Sequence, residues 1–85
     1  MKIQLRFFAS IREQVGTAQE SITLPDQVQT VGDVLAHLRE RGGVWSQALA
    51  DGRALRMAFN QEMTDPATCL VDGCEVAFFP PVTGG

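Results

Sequence analysis

Eighty-five residues with an apolar share of 45% suit one globular domain with a modest core, so disorder of the body is not expected. The net charge is −3 and the seven basic residues are scattered, with Lys2 the single lysine, which argues against a nucleic-acid surface. No apolar run approaches a membrane span, and the polar interruptions of Met1-Lys2-Ile3-Gln4-Leu5-Arg6 argue against a signal peptide.

Residues 2–8 alternate, with Ile3, Leu5 and Phe7 on one face and Lys2, Gln4, Arg6 and Phe8 on the other. Period two with good β-formers predicts a half-buried strand. Ser10 to Val15 predicts a short helix stopped by Gly16 as its C-cap. A second strand is expected from Glu20 to Leu24, closed by Pro25 and antiparallel to the first.

The main helix is the clearest element. Thr30 is a good N-cap with Asp33 three residues on, and Val31, Val34, Leu35 and Leu38 form one apolar stripe. Arg39 and Arg41 are expected in the last turn, where cations suit the helix dipole, before Gly42-Gly43 ends the helix. Trp45, Ala48 and Leu49 predict a second short helix ending at Asp51-Gly52, with Trp45 packed on the core.

A third strand is expected from Arg53 to Asn60, with Leu55, Met57 and Phe59 inward. After an Asn60-Gln61 turn the segment to Pro66 reads as irregular, a short strand is expected near Thr68 to Leu70, and Asp72-Gly73 forms a turn. The last strand runs from Glu75 to Phe79. One amphipathic helix facing one sheet makes a two-layer α+β domain, although the pattern alone leaves the strand order open.

Little on the body suggests catalysis. Asp26, Asp33, Asp51, Asp65 and Asp72 fall at caps or turns, where aspartate serves the backbone, and no nucleophile–base pair or phosphate loop can be assembled. One histidine, His37, with Cys69 and Cys74 is too small a set for a protein-only tetrahedral metal site, so no metal is expected. By count the cysteines allow a disulfide, but without a secretion signal they are expected to be reduced thiols in the cytosol. Neither has a cationic sequence neighbour to support a persulfide role. Strand parity does yield a candidate surface. If Leu5, Phe7, Leu55, Met57, Val76 and Phe78 face the helix, then Phe8 and Phe79 face away, with Ala58 and Ala77 nearby. Such a patch suits partner docking, with Met63 extending it and Arg6 and Arg56 as its rim.

The end of the chain reads Phe78-Phe79-Pro80-Pro81-Val82-Thr83-Gly84-Gly85. The prolines end the sheet ladder and hold the exit extended. The expected division is therefore a folded domain over 1–80 and an extended tail over 81–85, reaching on the order of 17 Å at the usual rise per residue. Chain ends often fray. Here, however, no charged side chain follows Glu75, and Gly84-Gly85 places no Cβ beside the terminal carboxylate, which suits a carboxylate that is itself the reacting group.

The run Asp72-Gly73-Cys74-Glu75-Val76-Ala77-Phe78-Phe79-Pro80-Pro81-Val82-Thr83-Gly84-Gly85 resembles the end of the small subunits of molybdopterin synthase, ubiquitin-like sulfur carriers of the β-grasp fold. Phe7-Phe8-Ala9 and Asn60-Gln61 extend the resemblance, and Cys74 departs from it where the family usually carries an acidic residue. The resemblance implies a mixed sheet with the last strand central, beside the first. It implies a chain that is not an enzyme by itself and binds no cofactor. A ubiquitin-activating-type enzyme would use ATP and magnesium to adenylate the Gly85 carboxylate, and a sulfur donor would convert it to a thiocarboxylate. Pro81, Val82, Thr83 and Gly84 would enter the large subunit of a cytoplasmic heterotetramer, where Gly85 gives its sulfur to a pyranopterin precursor of the molybdenum cofactor. A thiamine-pathway carrier, a ubiquitin-like protein modifier and a non-covalent binding module with an idle tail are the alternatives.

Overall fold

The computed structural model describes residues 1–50 and 54–81. Its elements follow the chain as β1 (Lys2–Phe7), α1 (Ala9–Val15), β2 (Gln19–Thr23), α2 (Val31–Arg39), α3 (Val44–Ala48), β3 (Arg56–Phe59), β4 (Glu62–Thr64) and β5 (Glu75–Phe79). The five strands form one mixed sheet in the order β2-β1-β5-β3-β4. β5 runs parallel to β1 and antiparallel to β3, so the last strand is central beside the first, as the β-grasp arrangement requires.

Alternation in β1 sends Ile3, Leu5 and Phe7 to one side, where they are almost fully buried. The α2 stripe of Val31, Val34, Leu35 and Leu38 is buried in the same core cluster, which Val76 and Phe78 join from β5. Phe78 stacks on Phe7 at 6.5 Å between ring centroids, and Trp45 meets Phe7 edge-on at 5.3 Å. Each fully buried aliphatic or aromatic side chain contributes about 1.5–3 kcal/mol from removal of apolar surface from water.

The caps expected from sequence are in place. The Thr30 hydroxyl accepts from the Asp33 N–H at 3.1 Å while the Asp33 carboxylate accepts from the Thr30 N–H at 3.2 Å, a complete capping box. Backbone N–H groups of Gln29 first, and Thr30 after it, hold the Asp33 carboxyl below its ordinary range. Gly16 closes α1 in the left-handed region, its N–H donating to the Arg12 carbonyl.

Three expectations are corrected. Residues 62–64 are not irregular but form the edge strand β4, antiparallel to β3. Asn60 and Gln61 both take positive φ (48° and 70°), the geometry of a tight two-residue hairpin, although the sequence lacks the glycine that usually marks one. The segment 68–70 is no sheet strand. Its backbone is spent on the start of α2, with Val31 N–H donating to Thr68 O and Leu70 N–H to Gln29 O, and a single bridge joins Thr30 to Cys69. Arg41 lies beyond the last turn of α2 and grips Glu20 of β2 through two N–H groups at 3.0 and 2.5 Å, with its guanidinium 4.5 Å above the Trp45 ring. That grip holds the Glu20 carboxyl below its ordinary range, against a smaller opposing effect of burial, and raises Arg41. β3 begins at Arg56, with Leu55 half-buried just before it; the expected earlier start at Arg53 and the turn at Asp51-Gly52 lie outside the described residues.

No helix among the described residues is long and apolar enough to cross a membrane.

Candidate functional site

Strand register builds the outer face of the sheet row by row. Arg6 of β1 lies opposite Ala77 of β5, Ala77 opposite Ala58 of β3, and Ala58 opposite Met63 of β4. One pleat further along, Phe79 lies opposite Arg56. Arg6, Ala77, Ala58, Arg56 and Phe79 point away from α2, because their strand neighbours supply the core, and Met63 shares their face through its register with Ala58.

Phe8 reaches this face by a sharp corner. It ends β1 as the N-cap of α1 with extended backbone, donating its N–H to Phe78 O at 3.3 Å and accepting from Arg12 N–H at 3.3 Å. Ala9 then takes φ +53°, a left-handed conformation costly for any residue with a Cβ. The result is a phenyl ring 41% exposed that meets Phe79 edge-on, with centroids 6.3 Å apart and planes at 83°. Phe7 and Phe78, directly before each of them, are buried in the core, so the outer pair is carried on strand residues anchored there.

Charge frames the pair. The Arg6 guanidinium carbon sits 5.5 Å from the Phe8 ring centroid, and its Nη1 lies 3.6 Å from a Glu75 carboxylate oxygen. Glu75 is itself fixed by Asn60, whose side-chain oxygen accepts the Glu75 N–H at 2.9 Å while the Asn60 N–H donates to Glu75 O at 2.9 Å. The polar hairpin turn is thereby clamped to the start of the last strand. Sequence reasoning placed Arg6 on this rim but missed Glu75 and the clamp, which depend on strand register.

Phe8 and Phe79 therefore come together as expected. Ala58 and Ala77 belong to the same face but are only 8% and 5% exposed, so they form a covered floor and not open apolar surface. Met63 is 65% exposed on the edge strand, two strands from Phe79, and forms a separate outpost of the patch. The chain leaves β5 through Pro80 and Pro81, both half-buried. Of the expected tail residues, Val82, Thr83, Gly84 and Gly85 lie outside the described residues.

The other reactive side chains do not join this site. Cys74 is buried in the core, and His37 is half-buried on α2. Exposed Cys69 lines a shallow groove of about 360 Å³ with Met1, Pro25, Asp26, Val28, Gln29 and Leu70, at the end of the sheet opposite the tail. Among the described residues no three His, Cys, Asp or Glu side chains are grouped to hold a metal.

Comparison with known proteins places this arrangement in company. The sequence profile of the ThiS family matches residues 5–85. The molybdopterin synthase sulfur carrier subunit of Escherichia coli (strain K12) is 42% identical over 83 residues, covering 98% of this chain and 99% of that one. Small archaeal modifier protein 3 of Haloferax volcanii is 40% identical over 94 residues, covering all of both chains. In the solved protein–protein complex of subunits 1 and 2 of the molybdopterin-converting factor from Helicobacter pylori, one chain superposes with a TM-score of 0.67 at 25% identity, covering all of both chains.

Proposed function

This chain belongs to the ThiS family, and we propose that it is the sulfur-carrier subunit of a molybdopterin synthase. The observation that carries the reading is the full-length 42% identity to the Escherichia coli sulfur carrier subunit. The Helicobacter pylori complex of subunits 1 and 2 supports a large subunit as the partner. The pair of exposed Phe8 and half-buried Phe79 at the root of the tail is where that partner docks, with Met63 as an outlying contact and Pro81, Val82, Thr83 and Gly84 leading into its active site.

The chemistry follows from the terminal carboxylate of Gly85. A carboxylate is a poor electrophile, because its charge and resonance resist attack. An adenylating enzyme of the ubiquitin-activating type joins it to AMP from ATP, with magnesium on the phosphates and pyrophosphate released. Hydrosulfide from a sulfur donor attacks the acyl carbon, the acyl–oxygen bond to AMP breaks and AMP leaves, and loss of the S–H proton leaves the terminus as a thiocarboxylate. Sulfur is more polarisable and more nucleophilic than oxygen, so the same tail now attacks the pyranopterin precursor, with the catalytic groups supplied by the large subunit. The carrier itself binds neither ATP nor metal in this scheme, and it acts in the cytoplasm in a heterotetramer with the large subunit.

The test is the intact mass of the protein isolated from cells. The reading expects a fraction in which one oxygen of Gly85 is replaced by sulfur. It also expects that deleting Gly85, or adding one residue after it, abolishes both that species and sulfur delivery while the fold survives. Normal delivery by either variant refutes the carrier role. The Haloferax volcanii relative favours a second reading as a protein modifier, which would instead show Gly85 joined by isopeptide bonds to lysines of other proteins.

A further inference from the structure

The outer sheet face carries charge opposite in sign to the molecule. Among the described residues its charged side chains, fixed by register, are Lys2, Arg6 and Arg56 against the single acid Glu75, on a chain of net charge −3. The acids are concentrated elsewhere, and the two arginines flank the Phe8–Phe79 pair.

Arg6 is incompletely matched in this setting. Its Nη1 meets Glu75 only at 3.6 Å, beyond a good charge-assisted hydrogen bond. Its Nε is buried without any hydrogen-bond partner, the one such side-chain atom among the described residues. A buried N–H without an acceptor has lost its hydrogen bond to water without gaining another. A guanidinium is best satisfied by a carboxylate that takes Nε–H and an Nη–H side by side, and Glu75 reaches only Nη1.

From these observations we propose that Arg6 is a carboxylate seat: the docking partner brings an acidic side chain that takes Arg6 from Glu75, beside the apolar contact at Phe8 and Phe79. This deepens the docking reading above and rests on it. The occupant is a protein surface with an apolar socket flanked by an aspartate or glutamate, complementary to the cationic face. On docking, the guanidinium swings off Phe8, its ε edge meets the partner's carboxylate, and the phenyl ring is freed to enter the socket. Arg6 acts as a specificity residue, because a partner without the acid leaves the guanidinium desolvated and unmatched.

The test measures affinity of the cognate large subunit of molybdopterin synthase for wild-type protein, Arg6→Met and Glu75→Gln, across a series of salt concentrations. Arg6→Met keeps the aliphatic cover over Ala77 and removes the charge. It is expected to weaken binding by at least about tenfold at low salt, as loss of one partner of an interfacial charge pair does, with the gap narrowing as salt rises. Glu75→Gln removes the internal competitor and is expected to tighten binding severalfold. Thermal melting of the same samples separates docking from folding, and should Arg6→Met fail to fold, Glu75→Gln decides alone. Wild-type binding with no loss in folded Arg6→Met, or weaker binding by folded Glu75→Gln, overturns this inference and leaves the carrier reading standing. No binding of wild-type protein to the large subunit overturns both.

Discussion

Phe78 and Phe79 are chain neighbours of identical chemistry on opposite faces of β5, which makes them a paired experiment on the sheet. Phe78 is fully buried against Phe7, so Phe78→Ala leaves a cavity at the centre of the core. Such truncations cost about 3–5 kcal/mol. A domain of this length has on the order of 4–13 kcal/mol in all, so the loss is a large share of the total. At roughly 4–8 °C per kcal/mol, the melting temperature should fall by about 12–40 °C. Phe79 is half-buried and holds one edge-on contact with Phe8, so Phe79→Ala should cost only about 1–2 kcal/mol of stability. Its effect belongs in binding, where loss of a central aromatic anchor typically costs about 2 kcal/mol or more, roughly thirtyfold in affinity. Urea titrations of both variants and calorimetric titration of Phe79→Ala into the large subunit measure the two quantities. Equal destabilisation by the two variants, or undiminished partner affinity for Phe79→Ala, would refute the assignment of faces.

Gly32→Ala should destabilise by about 1–3 kcal/mol in denaturant, because its Cβ would stand 3.0 Å from Pro66 Cβ and 3.1 Å from Pro66 O; a stabilised variant would mean that the 65–70 segment yields freely. The direction is informative because alanine is otherwise favoured over glycine in a helix by about 1 kcal/mol. The Glu20–Arg41 pair should add stability above the unfolded-state titration range of Glu20 and lose it as pH falls through the lowered folded-state value, while the raised Arg41 keeps its charge throughout. For a pair about a third exposed the gain is small, roughly 0.5–1 kcal/mol, and comparing acid unfolding of wild-type and Glu20→Gln would show it as a difference present near neutrality and absent in acid. Gly84→Val should bind the large subunit normally yet slow single-turnover sulfur transfer by on the order of 100-fold, since misplacing a reacting atom is costly; an unchanged rate would make the glycine incidental.

The local rules carried most of the fold. The capping residues Thr30 and Asp33, the α2 stripe and the parity of β1 and β5 each depend on near neighbours in sequence, so each could be read directly. Two of the three failures, segment 68–70 and Arg41, come from dependence on partners distant in the chain, whereas β4 was hidden by a local turn that lacks its usual glycine. β4 follows from left-handed conformations at Asn60 and Gln61 without a glycine, and segment 68–70 looked like a strand because its backbone does pair, though with the start of α2. Arg41 looked like a dipole-complementing residue, yet Glu20, distant in sequence, captured it. At the candidate site, parity alone found Phe8 and Phe79, whereas the clamp of Glu75 by Asn60 required the register between strands.

The place of β5 in the sheet also bears on how a tail can deliver chemistry. A tail hung from an edge strand would have a ladder on one side only, and its root would fray readily. β5 is paired along both sides, with β1 in parallel and β3 antiparallel, and its inward residues Val76 and Phe78 are fully buried. A force along the tail therefore meets both ladders at once, in shear, and must also draw a phenyl ring out of the core. The first residues beyond the strand, Pro80 and Pro81, restrict the backbone just where that support ends. Conformational freedom is thus excluded from the root. Because β1 runs parallel to β5, its end brings Phe8 to the same end of the sheet as this rigid exit. A partner gripping Phe8 and Phe79 consequently fixes both the position of Pro80 and Pro81 and the direction in which the chain leaves β5.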